Sequence, residues 1–558
     1  LDRLGVTPLF HAAYLNKYSL VSELLLAGAG TREGKPYGAD SERLTPIHGA
    51  VLGNAAECLE LLCTHLPTST LNTPAVPPGV TALQCAMQLG FYQCAAILLQ
   101  HGAMLSSHTQ QDVSFWHYAF SHPAFSVTSI TVSSCLPSLS WTDMTQCEEN
   151  GWTPAHFAAA AGNLCDFFPF MRLGVGDENL GATEDILVQA SNYANNQGGN
   201  KYIFARPDQR GQTPLHIWAA HPAVAQPSTS VQVFLKATLS GMPFDQEGWN
   251  PLLIAIRYNH LPQCALLLEV AGEQVLSVLR VGLRGNTFSE MSLGQMLSPL
   301  QIAVQYGATA CLKLLVDVLV DRLHFPNQQK LVLRAADQIE QLADSLRTVG
   351  FEDALIAACK LGHMPSFELL QPLILPSVHL SGRCIAPSLL HWSALSVNLE
   401  ITAWLLERHA LLTAQTSTGD IPLHFACAAG HSTVVQALLT AGSSADARNH
   451  AHVTPLHVAS YFGFECCLQA LHRAENANAG PISASWTQAV DLDGNTAVMH
   501  AASAGQAACV EFLVEQMSAS VLLTNGSGKT PRQLAKENQH HALTIWLQKQ
   551  EEREQGKS

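Results

Sequence analysis

One short phrase constrains this chain more than any other feature, and it is clearest in two adjacent copies. The first reads Ile421-Pro422-Leu423-His424-Phe425-Ala426-Cys427, followed by Gly430, the apolar pair Leu438-Leu439 and Gly442. The second reads Thr454-Pro455-Leu456-His457-Val458-Ala459, followed by Gly463. The two begin 33 residues apart, and Ser388-Leu389-Leu390-His391 begins 33 residues before the first. Thr ahead of Pro suits a helix start: the hydroxyl satisfies orphan N–H groups, and Pro at the first helical position loses no hydrogen bond. Leu and the spaced Ala residues form a narrow apolar stripe, so a short first helix can approach its neighbours closely. A second helix then carries the Leu-Leu pair and stops at a Gly able to adopt the left-handed conformation. One such unit cannot bury its own apolar face, so copies must stack.

A T-P-L-H-x-A phrase at this period resembles the ankyrin repeat, a β-turn followed by two antiparallel helices. The resemblance implies an all-α fold, an ankyrin-type helical solenoid with short β-turn or hairpin fingers. It also implies that His48, His156, His216, His391, His424 and His457 are structural groups bonded across to the next repeat's turn. Fourteen helix starts follow: Thr7, Thr45, Thr81, Ser114, Thr153, Thr213, Asn250, Ser298, Asp353, Ser388, Ile421, Thr454, Thr496 and Thr530. Thirteen of them are cap-forming residues and nine precede Pro, which keeps the capping chemistry where Thr itself is replaced. Second helices are marked by Leu24-Leu25-Leu26, Ile97-Leu98-Leu99, Leu266-Leu267-Leu268, Leu314-Leu315-Val316, Trp404-Leu405-Leu406 and Phe512-Leu513-Val514.

The spacing divides the chain. Residues 1–120 hold repeats one to four, and 121–146, Ser/Thr-rich with no Leu-Leu pair, form a degenerate and hinge-like segment. Residues 147–350 hold repeats five to eight, with insertions near 175–207 and 317–350. Within these, a helix is expected near Asp185–Ser191 and an amphipathic one over about Asn327–Arg347. Residues 351–549 hold repeats nine to fourteen, ending in a polar capping repeat, and 550–558 form a polar tail. Stacking along one axis implies an elongated, curved monomer, most stable over Ile421–Lys549, where period and phrase agree best. The segment Ser121–Gln146 is expected to open first.

At 558 residues the chain exceeds what one globular core organises, a limit a solenoid escapes. The 44 acidic and 29 basic residues give a net charge of −15, spread thinly, which argues against general nucleic-acid binding. The 15 cysteines are odd in number and scattered without paired CxxC motifs, which fits reduced thiols, no disulfides and a cytoplasmic or nuclear location. No long apolar run marks a membrane span, and no signal peptide is evident. The chain opens at Leu1 inside a repeat turn and is expected to be a piece of a longer protein.

Gly526-Ser527-Gly528-Lys529-Thr530 resembles the end of a phosphate-binding loop. The Gly required five positions before Gly528 is Leu523, however, and Thr530-Pro531 falls in the repeat register, so a turn is expected. No HExxH or zinc-spaced Cys/His cluster occurs, and neither metal nor cofactor is expected.

In the fold this phrase implies, partners are gripped by turn tips and by the concave side of the first helices. The tip residues Trp152 and Trp249 and the inner-helix ends Arg257-Tyr258, Gln305-Tyr306 and Tyr461-Phe462 are therefore the candidate contacts, with Arg448 beside the last pair. Aromatics and Arg dominate interface energetics. Trp249, Arg257, Tyr258 and Tyr306, on repeats seven and eight, are the expected anchors. The resulting reading is a non-catalytic protein–protein interaction scaffold or adaptor. Its rival is the cytosolic ankyrin region of a larger enzyme, such as a ubiquitin ligase, or of an ion channel, with the working domain outside these residues.

Overall fold

Thr454 shows how the phrase starts a helix. Its backbone is extended, at φ −102° and ψ 163°, and Pro455 opens the helix Pro455–Phe462. The ring of His457 reaches back, its Nδ1 accepting the Thr454 N–H at 3.2 Å and lying 2.7 Å from the Thr454 hydroxyl. At the far end Gly463, at φ 83°, turns the chain into the second helix, Glu465–Ala477.

The computed structural model describes residues 7–29, 44–74, 80–104, 117, 121, 147–148, 150–162, 206–222, 243–271, 279–280, 297–323, 336–375, 387–477 and 487–555. Ser114, all but Ser121 of the 121–146 segment, and 175–205 with the expected helix at Asp185–Ser191 lie outside them. Among the described residues the regular elements are helices, with no strand, so the expected fingers are tight turns. No described helix is long and apolar enough to cross a membrane.

The chain forms two compact units, Leu1–Met296 and Leu297–Ser558. In the first, the inner helices Pro8–Tyr14, Pro46–Leu52 and Ala82–Gln88 pack side by side, with Tyr18–Leu26, Ala56–His65 and Tyr92–Gln100 as an outer layer. Farther along, Pro154–Ala161, Pro214–Ala220 and Pro251–Arg257 stack likewise, the last backed by Leu261–Ala271. Ile47, Leu59, Leu62, Leu98, Leu253 and Leu267 are fully buried between the layers. Each such side chain contributes roughly 1.5–3 kcal/mol.

The second unit repeats the arrangement. Inner helices Pro299–Gln305, Phe351–Leu361, Leu389–Leu395, Pro422–Ala429, Pro455–Phe462, Ala497–Ser503 and Pro531–Glu537 stack in chain order. The apolar runs Leu314–Val316, Trp404–Leu406 and Phe512–Val514 all fall in outer helices, as expected.

Twelve of the fourteen expected starts are N-caps of described helices. Asp353 is not. Its helix begins at Phe351, because Gly350, at φ 74°, already turns the chain, and Asp353 sits in the first turn. There its carboxylate complements the positive end of the helix dipole.

The described part of the expected insertion helix runs over Ala336–Thr348 and packs on Phe351–Leu361. Repeat eight nevertheless stacks directly on Phe351–Leu361, so the extra helix sits beside the stack without interrupting it. The expected polar tail is also revised: the last helix runs over His541–Gln555. Arg532 reaches Glu551 at 3.0 Å, and Glu554 accepts the Ser520 hydroxyl at 3.1 Å, so these acidic residues belong to the cap.

Candidate partner-binding surface

The turns between repeats share one local design. An Asp or Asn opens five of the described turns: Asp208, Asp245, Asn449, Asp491 and Asn525. Its side-chain oxygen accepts the N–H groups two and four residues on, as Asp491 does from Asp493 at 2.9 Å and Asn495 at 2.7 Å. A residue with positive φ sits three positions after the opener: Gly211, Gly248, His452, Gly494 and Gly528. The backbone then closes on itself, for example from the N–H of Asp491 to the carbonyl of Asn495 at 3.1 Å. Thr416 plays the same part before Gly419.

Neighbouring fingers are joined through their backbones. The N–H of Gln246 donates to Arg210 at 3.0 Å in the first unit. In the second, His450 donates to Thr418 at 3.0 Å, Leu492 to Ala451 at 3.1 Å and Gly526 to Asp493 at 2.8 Å. The loop Gly526–Thr530 is one of these fingers. Its N–H groups at Gly526, Ser527, Gly528 and Lys529 all have protein acceptors, so none is aimed at a phosphate. The Lys529 ammonium pairs with Glu537 at 2.7 Å.

The six phrase histidines are buried between finger and helix. Each donates from Nε2 to a carbonyl of the next finger: Val80, Gln212, Trp249, Asp420, Val453 and Ala489, over 2.9–3.2 Å. In five of them Nδ1 accepts the cap N–H, so those rings are neutral, while the Nδ1 of His48 lies 2.8 Å from the Thr45 hydroxyl. Burial lowers the pKa of all six, to about 4 for His156 and His457. For His457 the neighbouring His500 pushes the same way, while Asp491 opposes it. Burial would raise the Asp491 carboxyl, but hydrogen bonds from Asn495 and His500 outweigh it and hold the group below its ordinary value.

The described cysteines are free thiols, most of them buried. Burial pushes Cys63 and Cys467 up to about 12, so both stay protonated at neutral pH. Cys58 and Cys94 donate to Asn16 and Asn54 of the preceding repeat, at 3.2 and 3.6 Å.

The candidate contacts divide by burial. Trp249 is only 4% exposed, with the Arg257 guanidinium 4.8 Å from its ring centre. The expected anchor is thus a packed residue, floored into its own finger. Arg257 also lies 5.7 Å from the ring of Tyr258, which is exposed, so the structure gathers these three into one cluster. Trp152 is held as well: its indole N–H donates to Asp208 at 3.1 Å and its ring meets Phe157 edge-on at 5.3 Å. Gln305, Tyr306 and Arg448 are exposed in the second unit.

Tyr461 and Phe462, 49% and 50% exposed, are adjacent aromatic rings in contact with each other, edge to face at 5.3 Å. At the same register the repeat before has Ala428-Ala429 and the one after has Ser503-Ala504. The pair therefore forms a ridge between shallow neighbours. Phe464 stacks on Phe462 at 6.4 Å, and Tyr461 faces His500, which is bonded to Asp491 at 2.8 Å.

Sequence reasoning missed a third group in the first unit. Tyr14, Leu15, Leu52 and Leu89 are exposed at the inner-helix ends of the first three repeats. The same register rule finds them, since Asn16, Asn54 and Gly90, all at positive φ, mark those helix ends.

A family model described as ankyrin repeats matches the chain in three copies, over residues 9–112, 390–480 and 456–555. The same cap, helix and finger geometry recurs outside those segments, at residues 206–222 and 243–250.

Proposed function

The chain belongs to the ankyrin-repeat family, whose members are in general protein–protein interaction modules, and from that premise we propose that it acts as a non-catalytic scaffold. Partners are held at the exposed inner-helix ends, and the Tyr461–Phe462 ridge of the second unit is the principal contact. The observation that carries this reading is the half-exposure of two touching aromatic rings where adjacent repeats place Ala and Ser. Two large apolar side chains left in water gain from being covered, and aromatic rings lose little side-chain freedom on docking. In the first unit, Arg257 and Tyr258 form a smaller surface of the same kind, with Trp249 as its floor.

The test is quantitative capture with the chain as bait, followed by titration of each purified partner against parent and Tyr461→Ala/Phe462→Ala. A true anchor pair costs about 2 kcal/mol or more, roughly 30-fold in affinity. Both rings lie outside the buried core, so circular dichroism and melting of the variant should match the parent. Equal affinity in parent and variant would remove the ridge from the interface.

A further inference from the structure

The outer helices of the first two repeats border an open groove unrelated to the inner-helix surface. It measures about 450 Å³ and is lined by Tyr18, Glu57, Glu60, Leu61 and Thr64. The outer side of a stacked repeat has no packing duty, and polar, mixed-charge side chains would keep it soluble. Here Tyr18 is 49% exposed and Leu61 is partly so, making an apolar floor in contact with water.

Glu57 and Glu60 stand one turn apart on the helix Ala56–His65, and both are exposed. Like charges at that spacing repel. Neither groove helix contains Lys or Arg, and Lys17 is the only such residue among the described residues of 7–104. Glu60 lies 3.5 Å from the His101 ring, yet its side chain remains 54% exposed. Two carboxylates beside an aromatic face and a Leu form a receptor for a cation on an apolar stem. The charged head is drawn to the carboxylates and the ring, and the methylenes cover the apolar floor.

We propose that this groove is a second docking site, for a segment of a partner protein that places Arg or Lys between Glu57 and Glu60 and apolar side chains on Tyr18 and Leu61. Charge complementarity selects this occupant over an acidic segment, and the same carboxylates repel nucleic acid and anionic lipid. The site is separate from the Tyr461–Phe462 ridge and does not depend on it. One chain can thereby hold two partners, or two segments of one.

The probe is a short fluorescein-labelled peptide of Arg, Lys and Leu, titrated with the full chain and followed by anisotropy. The control peptide has Glu in place of every Arg and Lys. The basic peptide is expected to bind saturably and the acidic one not at all. Glu57→Gln/Glu60→Gln should weaken binding at least about tenfold, and Tyr18→Ser should weaken it as well. Glu511→Gln/Glu515→Gln removes the same charge from exposed positions on a different outer helix and should leave binding within about twofold. Equal losses in the two double variants would mean that the peptide reads net charge alone, and the proposal fails. Absence of saturable binding also overturns it. Tyr461→Ala/Phe462→Ala should leave this binding unchanged, so failure here and failure of the ridge give different results.

Discussion

Acidification should loosen the second unit through His457, and the size of the effect follows from its hydrogen bonds. Nδ1 accepts from Thr454 and Nε2–H donates to the carbonyls of Ala489 and Asn495, at 3.0 and 3.3 Å. A second proton would have to occupy Nδ1 and abolish the cap. The folded pKa accordingly falls from 6.5 to about 4, through burial first and the adjacent His500 second. Between those values the unfolded chain binds the proton and the folded chain does not. Stability therefore rises with pH across this window: the contribution is complete above about pH 6.5 and is lost as pH falls toward 4. From pH 7.5 to 5.0 the loss works out at about 2 kcal/mol for this one side chain.

The chain supplies its own control. Gln84 and Gln533 occupy the position of His457 in other repeats, and their side-chain oxygens accept the N–H of Thr81 and Thr530 at 2.8 and 3.0 Å. His457→Gln should keep the cap, lose the bond to the next finger and cease to titrate. At pH 7.5 the variant should be about 1 kcal/mol less stable than the parent. On moving to pH 5.0 it should lose about 2 kcal/mol less, so the two curves converge or cross. Urea unfolding followed by circular dichroism, with hydrogen exchange across Pro455–Phe462 as the local readout, measures both. If parent and variant lose the same stability between pH 7.5 and 5.0, His457 titrates near its ordinary value in the folded state and the linkage argument is wrong.

Three further outcomes can be checked. Thr496 has Met499 where its neighbours have His or Gln, leaving its buried hydroxyl without a partner and its N–H 3.5 Å from a sulfur. Met499→Gln, of similar size, should raise the urea midpoint by the equivalent of about 1 kcal/mol. Gly494→Ala should cost about 2–3 kcal/mol in the same assay. Gly494 lies at φ 78°, and an added Cβ would come within 2.6 Å of the Gly526 nitrogen that joins the fingers. Brief maleimide labelling at neutral pH, mapped by mass spectrometry, should modify exposed Cys466 and spare Cys467, which is buried and held at about 12.

Helix starts were legible in the sequence because their chemistry is local. Thr454, Pro455 and His457 lie within four residues and assemble the cap without help from the rest of the fold. Asp353 is not the start of its helix because Gly350, a neighbour with no side chain, outranks the cap-forming Asp353. How Trp249 and Trp152 are held is not legible in the sequence, because the groups that hold each ring are not its immediate neighbours. Arg257 covers the first from the end of the following helix, and Asp208 ties down the second from 56 residues away. The finger openers could have been read and were not: Asp or Asn three positions before Gly recurs at Asp208, Asp245, Asp491 and Asn525.

The fingers also explain why the proposed contacts fall where the repeat phrase is silent. Asp491 spends one oxygen on two backbone N–H groups and the other on Asn495 and His500. His457 spends both ring nitrogens on holding its helix to the next turn. Residues with polar groups committed in this way set the register of the stack and have nothing left to offer a ligand. Ala428-Ala429, Tyr461-Phe462 and Ser503-Ala504 occupy one register on three successive inner helices, and no finger bond or cap depends on which residues stand there. Such positions can change from small to aromatic at little cost to the fold. That freedom lets one repeat in the stack carry an exposed aromatic ridge while its neighbours carry none.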